Sequence, residues 1–413
     1  MNINRNFYSI LSNWVSLTLL QFGNYIVPLV LTPYLIITLG IEGFGILSFV
    51  TAVNVFFRAL VSYGFDLTGT KQIAEVSNDK VKVNSIFQDI IYAKIFIVLI
   101  CYLFLFIFIY SIPQIYENKY LFLLFFNLVI ADALFPVWLY QGMQNMKVIT
   151  ILKLIGRFSF VFLTMLFVKT SEDILYVPLI EGVISIIVSL ISILWGIKIF
   201  SLSFKFPVYF SVKSALESSW HVFLSKIAVL FYTKFNIVLL GLLTTPVLVG
   251  YYSIAENIYM ALRSMFNPII QSVFPYLSKV KLVDEIKYNR LVRVAFFFIL
   301  LSLFMLSISL YFLGGYIIDF LIADKNEYVQ EILTVFSFSL VFSIGGYLST
   351  ILIIEGKGTL LSKVTFLTVI INLIIVYPSI IFYDALGLAY CFLIVQIFHF
   401  VIQLLVNKKI FKR

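Results

Sequence analysis

Charge is what this sequence has least of. Asp, Glu, Lys and Arg make up only 12% of its 413 residues, against 62% hydrophobic residues. So few charges cannot cover a soluble domain of that size, which excludes water as the solvent for most of the chain. Cysteine and histidine are nearly absent, with two of each. Cys101 and Cys391 both fall in apolar runs, and His221 and His399 stand far apart. The sequence therefore offers neither a disulfide framework nor a metal cluster, and no cofactor is expected. No glycine-rich run ends in Gly-Lys-Ser or Gly-Lys-Thr, which speaks against an ATP-driven pump in one chain. No connecting loop is longer than about 20 residues, too short for a domain outside the membrane.

What is present is a series of about a dozen apolar stretches, with a mean hydropathy of +1.06. In lipid every backbone N–H and C=O must pair internally, so each stretch is expected to be a helix of about 20 residues. Barrel strands would be about half as long and would alternate polar with apolar, which these stretches do not. The expected spans are 12–38, 43–66, 85–110, 119–141, 148–168, 174–198, 219–242, 248–273, 291–313, 329–354, 361–382 and 385–406.

Orientation follows from the basic residues. Twenty-one Lys and Arg belong to one set of tails and loops, and three, Lys119, Lys169 and Lys325, to the opposite set. The rich set includes Lys147, Lys153 and Arg157, then Lys205, and finally Lys409, Lys412 and Arg413. Basic loops stay in the cytoplasm, so both termini are expected there, with an even number of spans. The start, MNINRNFYSILSNW, leads into an apolar run too long for a signal peptide and is read as a retained first helix. The net charge of +9 is then a topology signal and an attraction to anionic membrane lipids. Scattered over many loops, it makes no nucleic-acid surface.

A weak internal repeat runs through the chain. A shift of 205 residues places Gly45 on Gly250, Ser48 on Ser253 and Arg58 on Arg263. Half the chain length is close to that shift, so the spans divide evenly, into an N-terminal lobe over 1–200 and a C-terminal lobe over 201–413. An even number of spans per half gives both halves the same orientation. The expected fold is an all-α polytopic membrane protein of about 12 transmembrane helices, in two six-helix lobes around a central cavity suited to alternating access.

Charged side chains inside spans are costly, about 2.5–3.5 kcal/mol each on insertion scales, and usually face a bundle interior or a wet cavity. Arg58, Asp132, Glu181, Lys226, Lys234, Glu256 and Arg263 are such residues, while Lys94 and Asp66 are placed nearer the cytoplasmic ends. Arg58 and Arg263 suit a pyrophosphate, because a guanidinium offers paired donors and keeps its charge in poor solvent. The alternative for each is a private pair with an acid or a reach toward headgroups. Lys234 is read as cavity lining and Lys226 as a residue reaching for the cytoplasmic interface. Glu256, two turns from Arg263, is expected to share its cavity. Asp132 and Glu181 are candidates to carry protons. Pro28, Pro33, Pro136 and Pro268 are expected to bend their helices.

Several of these stretches look familiar together. Pro33-Tyr34, Leu39 to Gly45 and Tyr63-Gly64-Phe65-Asp66 followed by Lys71-Gln72-Ile73-Ala74 form one group. Pro136-Val137-Trp138-Leu139-Tyr140-Gln141-Gly142 is a second, and Val249 to Glu256 followed by Phe274-Pro275-Tyr276-Leu277-Ser278-Lys279 a third. In order and spacing they resemble the polysaccharide-transporter family of the multidrug/oligosaccharidyl-lipid/polysaccharide exporter superfamily, and within it the O-antigen flippases of Gram-negative bacteria. The resemblance implies a multi-pass protein of the bacterial inner membrane. It implies translocation of an undecaprenyl-diphosphate-linked oligosaccharide from the cytoplasmic to the periplasmic leaflet, driven by a proton or sodium gradient, beside a polysaccharide polymerase and a chain-length regulator. Arg58, Arg263, Lys234 and Lys226 would then meet the substrate, and Glu256, Asp132 and Asp66 would couple the ion. One departure stands out: similar proteins often carry an acid where Asn236 stands, so an acid-dependent step at that position is not expected.

Two other readings stay open on the residues. A cation-coupled multidrug exporter of the same superfamily needs acids facing cationic drugs, whereas the in-span charges hold at least as many bases as acids. A polysaccharide polymerase, an enzyme, needs a long outer loop; the longest here, 314–328, carries Asp319, Asp324, Lys325 and Glu327.

Overall fold

The computed structural model describes residues 2–203, 209–322 and 326–408. Lys205, Asp324, Lys325, Lys409, Lys412 and Arg413 lie outside them. Among the described residues there is no strand. The first helix, α1 (Asn2–Ser62), breaks at Gly40, whose backbone turns to φ 73°, ψ 173°. That conformation favours glycine, and it falls between the first two expected spans. A turn at Tyr63 and Gly64, both with positive φ, leads into α2 (Phe65–Glu75). Next comes α3 (Lys80–Ser111), whose cap Asp79 accepts the N–H groups of Val81 and Lys82. The Lys82 N–H, foremost, holds the exposed Asp79 carboxyl below its ordinary value.

Short α4 (Pro113–Glu117) precedes α5 (Lys119–Leu134). Pro136, which has no N–H to continue a helix, separates α5 from α6 (Val137–Gly142). Then come α7 (Met146–Phe167), a 3₁₀ turn and α8 (Tyr176–Phe200).

The remaining helices depart further from the expected spans. Span 219–242 is two helices, α9 (Tyr209–Thr233) and α10 (Phe235–Leu243), broken at Lys234. Span 248–273 is also two, α11 (Pro246–Ser264) and α12 (Asn267–Val283). Pro268 sits in the first turn of α12, where a missing N–H costs nothing. Helix α13 (Glu285–Ile322) extends through much of the expected outer loop 314–328, which is therefore shorter than expected. Helices α14 (Glu327–Phe342) and α15 (Gly345–Ile354) share one span. The last, α16 (Gly358–Val406), holds 49 residues and breaks at Asp384 (φ 50°, ψ −133°). Unbroken, it would be about 74 Å long, more than twice the hydrocarbon thickness. Its break falls between the last two expected spans.

Among the described residues eight helical stretches are long and apolar enough to cross a bilayer, or nine with a bent pair counted as one span. The protein is an all-α, multi-pass membrane protein.

The chain forms two compact units, one of residues 1–40 with 50–230, the other of 41–49 with 231–413. In the first, α5 packs on α8 and α3, and α2 on α6. Phe65, Ile73, Phe87, Trp138 and Tyr140 fill its core. In the second, α14 packs on α11, α13 and α16, and Tyr252, Tyr259, Phe336 and Phe392 cluster with ring centroids 5.2–5.4 Å apart. Such offset and edge contacts add to the burial of each ring.

The glycines of the internal repeat have a local reason inside this second unit. A Cβ at Gly45 would lie 1.9 Å from the Pro246 carbonyl oxygen, and one at Gly250 would lie 2.4 Å from that of Ile41. Two helical segments cross with backbones in contact, and only glycine leaves room.

Candidate functional site

In the first unit the charges within the spans gather on facing helices. Arg58, on α1, donates from Nε to Asp132 Oδ2 on α5 at 2.6 Å. The pair is open, with side chains 40% and 37% exposed. Arg58 thus takes the private partner that the sequence left open for it. Lys94, on α3, donates from Nζ to the Asp132 carbonyl at 3.1 Å and is only 2% exposed. It lies within electrostatic reach of both Asp66 and Asp132. Beyond its place nearer one end of its span, Lys94 is a buried link between two acids. Asp66 accepts from Ser62 Oγ at 2.8 Å and from Lys226 Nζ at 3.3 Å. Lys226 therefore turns to an acid of its own unit, where a reach toward headgroups was expected.

Beside Arg58 lies a cavity of about 180 Å³ among α5, α7 and α8, lined by Arg58, Asp132, Lys153, Arg157, Glu181 and Ser185. Lys153 and Arg157, which the orientation count assigns to the basic side although they fall within expected span 148–168, lie in α7 and face this cavity. That removes two charges from the basic side of the orientation count without changing its sign. A signal was present. Lys153, Arg157 and Phe160 recur at three- and four-residue steps on α7, and Glu181, Ser185 and Ser189 at four-residue steps on α8. Such spacing puts each set on one helical face.

In the second unit Lys234 Nζ meets Glu256 Oε2 at 3.2 Å, and Glu256 is almost fully buried. The expected sharing of one cavity by Glu256 and Arg263 gives way to this pair: the break at Lys234 aims the ammonium at the carboxylate. Asn236 and Asn372 exchange amide hydrogen bonds of 3.1 and 2.8 Å. The position where similar proteins carry an acid is here a neutral, satisfied pair that calls for no counter-cation.

Arg263 stands alone by contrast. Among the described residues it has no carboxylate within ion-pair distance. It lines a cavity of about 260 Å³ with Asn267, Ser343, Thr350, Phe266 and Tyr347, at the breaks between α11 and α12 and between α14 and α15. Gly346 carries no side chain at the wall nearest the guanidinium. His399 is half-buried and held by Ser349 and Thr368 at 3.4 and 3.3 Å. Among the described residues no His, Cys, Asp and Glu cluster could hold a metal ion.

Buried or half-buried cations facing cavities in a membrane protein suit an anionic, water-loving cargo. Comparison with known proteins gives the family. The family model described as "Polysaccharide biosynthesis protein" matches residues 10–281. A protein of Escherichia coli (strain K12) described as "Putative O-antigen transporter" is 31% identical over 291 residues, 69% of this chain and 69% of that protein. One of Shigella dysenteriae with the same description is 28% identical over 395 residues, 93% of this chain and 96% of that protein. Among solved structures, the lipid II flippase MurJ in an inward closed conformation has a TM-score of 0.73 at 16% identity, covering 96% of this chain and 87% of its own. An inward-facing multidrug-resistance transporter of the MATE family has a TM-score of 0.68 at 12% identity, covering 93% of this chain and 97% of its own. At such identities these two share the fold. The sequence matches go further: the chain belongs to the polysaccharide biosynthesis protein family.

Proposed function

We propose that this protein is a flippase for a lipid-linked polysaccharide repeat unit, of the O-antigen kind, carried on undecaprenyl diphosphate from the cytoplasmic to the periplasmic leaflet of the inner membrane. The observation that carries the reading is Arg263, a permanent cation in a membrane-spanning unit with no acid beside it among the described residues. A guanidinium in that setting is stabilised by an anion, and a diphosphate matches its paired donors. In the first unit Arg58 is a second candidate phosphate contact, kept oriented by Asp132 while left partly open. Lys226, in the first unit, and Lys234, in the second, are further candidate contacts, each held by one carboxylate.

The coupling step belongs to those carboxylates. Asp66, Asp132 and Glu256 each touch one cation. A proton or sodium ion taken up by one of them frees that cation for the substrate, and its release restores the pair. The names of the relatives support this reading. The balance of charge sets it apart from a multidrug exporter: the inward charges of the first unit are Arg58, Lys94, Lys153, Arg157 and Lys226 against Asp66, Asp132 and Glu181. That excess of base repels cationic drugs.

The test uses inverted membrane vesicles loaded with labelled lipid-linked repeat units. Arg263→Ala is expected to cut translocation at least tenfold, with Arg58→Ala, Arg263→Ala lower still. Full translocation by the double variant would sink the phosphate assignment.

A further inference from the structure

We propose that the cavity among α5, α7 and α8 of the first unit recognises one acidic sugar of the transported glycan, a ring bearing a single carboxylate. The proposal rests on the flippase reading and adds the class of substrate to it.

Size comes first. The cavity holds about 180 Å³. At about 30 Å³ of liquid per molecule that is roughly six waters, the scale of one pyranose ring and too little for two.

Charge comes second. Arg58 is matched by Asp132 at 2.6 Å. Of the remaining wall charges, Lys153 and Arg157 face one acid, Glu181. One positive charge is left over, which suits a monoanion. While Asp132 and Glu181 are both charged they oppose a phosphate dianion in this pocket; Arg58 is released toward the diphosphate only when Asp132 takes up the coupling ion.

Hydrogen-bonding capacity comes third. Among the described residues the Arg157 guanidinium, the Glu181 carboxylate and the Ser185 hydroxyl make no hydrogen bond or close ion pair with a protein group. The wall therefore offers free donors and a free acceptor together. A sugar's hydroxyls require both, whereas a bare oxyanion uses donors alone. Lys153 is steadied over the Phe135 ring, 5.0 Å from its centroid, which leaves Phe160 as the apolar face for the C–H side of a ring.

The walls are fixed by packing. Ser189 Oγ donates to the Ala131 carbonyl at 2.8 Å and ties α8 to α5. Gly156 brings α7 close to α8, since a Cβ there would lie 3.1 Å from a Val188 methyl. A pocket held in shape by its helices binds without paying to order itself first.

The experiment titrates purified protein in lipid nanodiscs with glucuronate, glucose and inorganic phosphate by calorimetry. Glucuronate is expected to bind at least tenfold more tightly than glucose or phosphate. Arg157→Gln should weaken it at least tenfold, and Arg157→Lys should keep most of it; monodisperse elution of both variants shows that they fold. Equal binding of glucose and glucuronate, or glucuronate binding unchanged in Arg157→Gln, overturns the proposal. So does phosphate as the tighter ligand, for it makes the pocket a phosphate site. Vesicle translocation separates the two readings. Glucuronate binding that depends on Arg157, without translocation, upholds the pocket and removes the flippase. Translocation without such binding does the reverse.

Discussion

Lys94 shows what a single residue needs in order to stay charged inside a membrane-spanning unit. Its ammonium donates to the Asp132 carbonyl, stands near the Asp66 and Asp132 carboxylates, and has almost no exposure. Removing one member of a buried charge cluster leaves the others uncompensated, at a cost of about 3–5 kcal/mol. Lys94→Met is therefore expected to lower the midpoint of thermal unfolding in detergent, and Asp132→Asn in the same chain to restore part of the loss, because the two share one network. An unchanged midpoint in Lys94→Met would show that the lysine is dispensable there. The sequence identified Lys94 as an in-span cation but not its burial between two acids. Height along a helix can be counted from residue numbers, whereas burial depends on which neighbours cover the face. Lys153 and Arg157 were missed for a related reason: a basic residue near a span end looks like a topology signal until the opposite wall is seen.

At the scale of elements, the crossing of Gly45 and Gly250 is a tight constraint within the second unit. A valine at either position would drive its Cβ into a carbonyl oxygen, and overpacking of this kind costs about 1–3 kcal/mol or more when backbone must move. Gly45→Val and Gly250→Val are expected to yield aggregated protein on size exclusion. Gly346→Ala is the control, since its Cβ would come no closer than 4.0 Å to the Arg263 guanidinium. Equal yields from all three variants would contradict the crossing. The repeat drew attention to these glycines, and their geometry gives the reason for them. Helix breaks were legible unevenly. Those at Gly40 and Asp384 fall between expected spans, where hydropathy already dips. Those at Lys234 and at Met265 to Phe266 lie inside apolar runs, because in lipid a helix can be interrupted without any loss of hydrophobicity.

At the scale of the whole molecule, orientation is open to a direct measurement. Cys101 and Cys391 are both buried, so the native thiols give a quiet background for labelling. The basic-loop rule puts Ser77 in the cytoplasm and Ser171 on the opposite side. An impermeant maleimide added to intact cells with a permeabilised outer membrane is expected to label Ser171→Cys and spare Ser77→Cys. The reverse pattern would invert the orientation and with it the direction of transport. The sequence by itself determined the solvent, the helical class, most span positions and the family resemblance. Each of these follows from composition or from short-range order along the chain, which is what a bilayer selects. Only the tertiary structure decided which charges neutralise one another, that residues 41–49 join the second unit, and that Arg263 alone among the candidate cations has no acid beside it among the described residues. Coulombic partnership acts over a few ångströms between helices far apart in sequence, and no pattern read along one strand of residues contains that distance.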